Sequence, residues 1–538
     1  MPISGTRFAQ KYLIVPAMPA PNGRLHLGHI AGPYLRLDIL ARHLRRRGDH
    51  ASIVCATDPY DSYIPLRAEQ AGIDPSALAQ ASCAGIVEDL QNMEIEVECF
   101  IDPLSEENRE HYLSAHTELV NRLVRQGSVS SVYEKIPYSP TRDVFVSGSF
   151  LVGKCPKCGE GISGFFCEDC GAHFQPENVI DPISRWGEVL EYRTQDNLFF
   201  DIKNPDGLMT QLERTATSES FIAIARHHIE SDGARFRLTN HAGWGLPWVL
   251  GQEKRTLFGH GLLFAAIRFV GEIYAKKTGL SANPFDRESD VITVNGFGID
   301  NCVSHLVGIQ SMAIADGISK PFDRFIINHF YTLEGKKFST SMRWAIWVDD
   351  IAKKTRIPAD AVRFFLSTTN PVESSTDFDC VAFLDFVNGP YTDIRNYVSM
   401  AIEAIHAVPV PATPATLLKA LAEKLDAQEL ALQFSSFDPR AACLTIVQWA
   451  SLFITARDSG NLYWWVKGMA LLACPVMPTL SREIWHALGH TGDPSNASFI
   501  DSPALKLRPI PNFEPILLIE LSAALPAAMT EISDETCT

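Results

Sequence analysis

The first concentrated apolar run is KYLIVP at 11–16, short and unbroken, and it predicts a buried strand. A loop rich in proline and glycine, PAMPAPNGRLHLGH, follows at 16–29. Leu35, Leu37, Ile39 and Leu40 then recur at helical spacing, and the pattern ends in the basic RHLRRRG. HASIVCATD at 50–58 reads as a second buried strand. Strand, loop, helix and strand in that order make a βαβ unit and predict a parallel sheet. Residues 110–250 are mixed in pattern. A β-like apolar run returns in VITVNGFG at 291–298, followed by helical patterning. From about 383 to 490 the period is helical, broken by HAVPVPATPAT at 406–416, which reads as an inter-helix loop. The tail after 500 is punctuated by proline and ends in acidic and polar residues. No internal repeat of fixed period is present.

A chain of 538 residues is too long for one core, so two to four domains are expected. Hydrophobic residues make up 46% and charged residues 20%, the balance of a globular protein. There is no apolar run of about 18 residues, so no membrane span is expected. The N-terminal MPISGTRFAQKYLIV lacks the parts of a signal peptide, which leaves the cytoplasm as the default location. The net charge of -16 counts mildly against a broad nucleic-acid-binding face, because phosphate contacts favour basic surfaces. It leaves room for a local basic patch.

Three motifs carry chemistry. His26-Leu27-Gly28-His29 puts two imidazoles on one side of a helix start, where free N–H groups and the helix dipole suit a phosphate. Gly28 would let a flat adenine approach the backbone. Far down the chain, Gly335-Lys336-Lys337-Phe338-Ser339-Thr340-Ser341 is a basic, hydroxyl-rich loop. Such a loop can close over a triphosphate and stabilise departing pyrophosphate. Third, Cys155-x-x-Cys158 and Cys167-x-x-Cys170 offer four thiolates at zinc-knuckle spacing. Four thiolates leave no open coordination position, so the expected role of the Zn2+ is structural. The other eight of the twelve cysteines are scattered, which suits reduced thiols better than a disulfide framework.

Together these segments resemble the methionyl-tRNA synthetase family of class I aminoacyl-tRNA synthetases. AMPAPNGRLHLGH resembles the family's first signature and GKKFSTS its second, and SEENREHYLSAHTELVNRL resembles the stretch before its zinc-bearing insertion. The likeness runs from about residue 11 to 380 and continues more weakly beyond. It implies an α/β fold: a Rossmann-type parallel-sheet catalytic domain with a zinc-knuckle insertion and a C-terminal α-helical domain. The expected boundaries are 1–112 and 253–330 for the two Rossmann halves, 113–252 for the insertion, 331–382 for the signature-loop region and 383–538 for the helical domain.

The resemblance also implies roles. His26, Gly28 and His29 would meet ATP, with Gly298 and Asp300 at its ribose and Lys336, Lys337, Ser339 and Ser341 near its phosphates. His26, His29 and Lys337 would be catalytic, with Mg2+ sharing the phosphate charge. Asp58 would hold the substrate ammonium, although a strand-end cap is its plainer reading. Met18, Ala20, Leu257, Phe264 and His305 would line the amino-acid pocket; the lesser reading of His305 is a satisfied core histidine.

Several positions depart from the family. Ala20 stands where the family has an aromatic, and LFGHGLLF at 257–264 stands for a tryptophan-bearing segment, with Trp244 and Trp248 nearby as substitutes. Thr340 replaces the second signature lysine, and Ser459-Gly460 replaces the anticodon-reading Pro-Trp. These departures favour an adenylate-forming ligase that activates another amino acid and passes it to a hydroxyl or amine acceptor. The expected acceptor is a small molecule of a natural-product pathway, with a separate downstream partner enzyme. A genuine methionine–tRNA ligase and an inactive synthetase-like binding or regulatory protein are the alternatives.

Overall fold

The computed structural model describes residues 9–529 except Glu168, Ser341, Met342, 406–413 and Ile500. Most of the expected loop at 406–416, one candidate phosphate-binding serine (Ser341) and the acidic end of the tail therefore lie outside the described residues.

The central sheet is parallel throughout. Its strands are β1 (Lys11–Pro16), β2 (His50–Ala56), β3 (Cys99–Ile101), β4 (Ile292–Gly298) and β5 (Arg324–Asn328), in the spatial order β5-β4-β1-β2-β3. Successive β1 residues serve two different cores. Tyr12 and Ile14 pack into one, Leu13 and Val15 into the other. A strand buried on both faces needs an unbroken apolar run rather than alternation, which is why KYLIVP was legible.

Between β1 and β2 the chain forms one helical passage. His26 caps a short turn at Leu27–His29, a π-helical turn at Ile30–Tyr34 carries Gly32 and Pro33, and the helix Leu35–Arg46 follows. This passage packs one face of the sheet against the C-terminal helices. Arg363, fully buried, fastens that packing: its guanidinium donates to the Asp38 carboxylate at 2.6 Å and to the carbonyls of Met93, Pro475 and Val476. A buried guanidinium is tolerated only when its donors are met in this way.

The insertion between β3 and β4 rests on the other face. Val129–Ser139 pairs antiparallel with Glu191–Asp201, which also carries Arg235–Arg237. A second small sheet, Leu151–Lys154 between Gly161–Ser163 and Ile180–Ser184, holds the cysteine turns above it. The expected boundaries at 112 and 382 fall inside the helices Arg109–Arg125 and Cys380–Phe386. Both helices are continuous across them, because their packing faces repeat at helical period on either side. No helix among the described residues is long and apolar enough to cross a membrane.

Candidate active site

The order of the sheet reverses at β1, with β2 and β3 on one side and β4 and β5 on the other. Ligands of doubly wound sheets bind at such a reversal, beyond the carboxyl ends of the strands. A cavity of about 400 Å³ opens there. The loop after β1, Asp58 after β2, Asp300 after β4 and Asn328 at the end of β5 all face it.

The first loop is held from behind. Asp89, buried, accepts from the Arg24 guanidinium at 2.6 and 2.9 Å and from the Leu25 N–H at 2.8 Å. Glu88 and Asp349 complete the grip on Arg24. His26 and His29 then lie with their rings stacked, centroids 3.6 Å apart. The backbone N–H of each donates to Nδ1 of the other at 3.2 Å. With both Nδ1 atoms accepting, the ring proton of each neutral imidazole belongs on Nε2. Burial keeps both rings neutral: it pushes His29 down to about 4 and, with the unfavourable proximity of a second imidazole, holds His26 further below the usual range. Two uncharged Nε2–H donors therefore serve the cavity.

Gly28 lines the cavity and also sits against the second loop. A Cβ there would come within 2.7 Å of the Phe338 ring, and that ring stacks on His26 at 5.0 Å. Phe338 thus joins the two signature loops directly. At Gly298 a side chain would collide with the Asp300 carboxylate.

Lys337 lines the cavity with its ammonium 4.4 Å from the Phe330 ring centre and 2.8 Å from Asp169 Oδ1. Asp169 lies inside the cysteine knuckle, so the knuckle holds the lysine that a triphosphate would need. Both side chains are more than a third exposed, which makes the pair weak. Replacing Asp169 with alanine is expected to tighten ATP binding by at most about fivefold, read by calorimetry. Weaker ATP binding in that variant would mean that the pair orients Lys337 rather than restrains it.

The four knuckle sulfurs lie within 4.8 Å of one another. Cys155 and Cys170 are 3.8 Å apart, Cys158 and Cys167 3.6 Å. Tetrahedral zinc with bonds of about 2.3 Å requires edges of about 3.8 Å, so the donor set fits the ion. Metal analysis of the purified protein is expected to give about one zinc per chain. Four free thiols and no metal would overturn that assignment.

Asp58 is buried, and burial followed by the neighbouring Asp61 charge raises its carboxyl to about 7. The Tyr60 N–H donates to it at 3.4 Å. Met18, Ala20 and His305 line the cavity. Leu257 and Phe264 do not. Leu257 is fully buried in the strand Glu253–Leu257 and Phe264 packs into the helix Leu263–Thr278, both within the core beneath the sheet. The turn Gly259–Leu262 between them presents His260 and Leu263 to the cavity instead. Trp244 packs against Tyr60 and Trp248 is buried in the core, and neither lines the cavity. Lys336 is exposed with its ammonium over the Trp344 ring, and Ser339 pairs with Trp344 through the backbone, so neither faces the cavity. Sequence reasoning missed His260, Leu263 and the knuckle residue Phe166.

Residues 12–401 match the family model of class I tRNA synthetases of the M type. The chain belongs to that family. It is thereby a MetRS-like, adenylate-forming class I ligase that activates an amino acid with ATP. The methionine–tRNA ligase of Thermofilum pendens is 27% identical, over 97% of this chain and 98% of its own length. That of Pyrobaculum calidifontis is 26% identical over 89% of each. Among solved structures, Mycobacterium tuberculosis methionyl-tRNA synthetase bound by methionyl-adenylate superposes with a TM-score of 0.72 at 17% identity, covering 94% of this chain and 99% of that one.

Proposed function

We propose that His26 and His29 hold the ATP phosphates through their Nε2–H groups, that Asp300 meets the ribose and that Asp58 holds the ammonium of the amino acid. The amino-acid carboxylate then attacks the α-phosphorus in line. A carboxyl–phosphorus bond forms, the bond between the α- and β-phosphates breaks, and pyrophosphate leaves. Lys337 stabilises the departing charge once Asp169 releases it. Mg2+, when bound with ATP, would share that charge. The observation that carries this reading is the junction of the two signatures, Phe338 on Gly28 and His26, beside a buried carboxylate in one cavity. Amino-acid-dependent exchange of pyrophosphate into ATP tests it. No exchange with any amino acid would favour the inactive-protein alternative.

For the acceptor, the names of the relatives back a methionine–tRNA ligase better than the small-molecule ligase read from the sequence. Transfer to the terminal hydroxyl of a tRNA is therefore the first reading. Neither a small-molecule acceptor nor a downstream partner draws support from those relatives. One observation keeps the small-molecule reading in view. Ser459 and Gly460 sit exposed in the turn between the helices Phe453–Asp458 and Leu462–Ala473, with no ring there for an anticodon base to stack on. Such a stack contributes roughly 1–3 kcal/mol per base. Charging of unmodified methionine tRNA, compared with an anticodon-altered tRNA, separates the two.

A further inference from the structure

Behind the end of β5 lies a guanidinium without a carboxylate. Arg36, on the helix Leu35–Arg46, is 2% exposed. Arg363, equally buried, faces the Asp38 carboxylate. Arg36 meets only neutral partners among the described residues. Its Nη1 donates to Asn370 Oδ1 and its Nη2 to the Ile327 carbonyl at 3.1 Å, while the Phe437 ring covers the guanidinium with its centre 5.2 Å away. The Nε–H has no hydrogen-bond partner among the described residues. Burial pushes the group down to about 9, although the nearby Asp438 favours its charge. A buried charge left without a counter-charge lowers stability, so Arg36 calls for a use other than stability.

The partners of Arg36 are parts that must meet around a nucleotide. Asn370, fully buried, turns Oδ1 to a group that can only donate, which leaves Nδ2 to donate to the Ala31 carbonyl at 3.2 Å. Ala31 lies in the π-helical turn that follows His29. Ile327 directly precedes Asn328 and His329, and both of these line the cavity. Pro371, next to Asn370, accepts from the His329 N–H at 3.0 Å. The Asn328 amide would stand 3.5 Å from a Cβ on Gly32 and 3.7 Å from one on Gly298, so it sits between the first signature turn and the end of β4. His329 is close enough that the Arg36 charge, after burial, holds its imidazole below the usual range. The spacing between the first signature turn and the end of β5 therefore depends on Arg36 and Asn370.

We propose that Arg36 and Asn370 form a positioning pair that holds the end of β5 against the first signature turn in the geometry ATP requires. Neither residue touches the reacting groups. They act through Asn328 and His329. This rests on the adenylation reading above and adds to it two residues outside both signatures. A displacement of about 1 Å can lower a rate on the order of a hundredfold, so a pair this far from the chemistry can still control it.

The test combines pyrophosphate exchange with thermal melting on the full chain. Arg36→Met together with Asn370→Leu replaces the pair by apolar side chains of similar size. Such a replacement of a buried charge often leaves stability unchanged or raises it. The melting temperature is expected to hold or rise, while kcat/KM for ATP falls at least about tenfold. The KM for the amino acid should stay within about twofold, because Asp58 follows β2, on the opposite side of β1 from β5. Arg36→Lys keeps the charge and the stem but loses the fork, and is expected to show the same ATP defect. It reports even if the double variant fails to fold. A lower melting temperature and a smaller active fraction, with both KM values parental, would mean a merely structural pair and would overturn the proposal. Parental ATP kinetics in either folded variant would overturn it as well and leave adenylation intact. Exchange by the parent chain with no amino acid would overturn both.

Discussion

Asp58→Asn is expected to lower kcat/KM for the amino acid at least about a hundredfold in pyrophosphate exchange, a loss of about 2.7 kcal/mol. The carboxylate is buried, so water cannot take over its contact with the substrate ammonium. Removing one partner of a buried charge pair costs roughly 2–5 kcal/mol, since the other charge is left unmatched. The pH dependence follows from the same residue. Burial and Asp61 raise the Asp58 carboxyl to about 7, so in the free protein the neutral form gains ground as pH falls through that value. Only the ionised form attracts an ammonium. kcat/KM should therefore rise with pH up to about 7 and level off above it, because that ratio reports the free enzyme. In the asparagine variant this limb should vanish. Substrate already bound pulls the carboxyl back toward its ionised form, so kcat should show a flatter profile than kcat/KM. A wild-type profile flat from pH 5.5 to 8.5, or an asparagine variant with full activity, would remove Asp58 from the ammonium site.

The parts of this site legible in the sequence are those fixed by local structure. His26 and His29 are three apart on a single turn, and each closes on the backbone of the other. Asp58 and Asp300 follow directly after strands whose apolar runs announce them, and a parallel sheet delivers strand ends to one edge. The knuckle carries its own geometry in its spacing.

What escaped was phase and long-range contact. Leu257 and Phe264 are at the right place in the chain, yet the turn at Gly259–Leu262 rotates His260 and Leu263 into the cavity in their stead. No periodicity spans a turn that short. Phe166 and Asp169 meet the site only because the small sheet of the insertion folds back over it, and nothing in their own neighbourhood signals that. Phe338 on Gly28 is likewise a contact between two loops far apart in the chain.

The junction of those loops carries the second large effect. His29→Ala and Lys337→Ala are each expected to lower pyrophosphate exchange at least about tenfold, about 1.4 kcal/mol of transition-state stabilisation. The two should fail differently. His29 has a partner for Nδ1, and its loss strips a donor from the phosphates and also frees the His26 N–H that caps the turn. Capping contributes about 1 kcal/mol, so His29→Ala should weaken ATP binding in the ground state and lower the melting temperature slightly as well. Lys337 contributes nothing comparable to the fold, because its ion pair among the described residues, to Asp169, is more than a third exposed on both sides. Its charge matters most when pyrophosphate departs, so Lys337→Ala should lower kcat by more than it raises the KM for ATP. Thr340 stands where the family's second signature lysine would be, which leaves Lys337 as the one signature cation lining the cavity and makes its loss harder to compensate. Lys337→Ala at the parental rate, with the preferred amino acid saturating, would mean that Mg2+ or Arg24 takes the charge and that the second loop has lost its catalytic part.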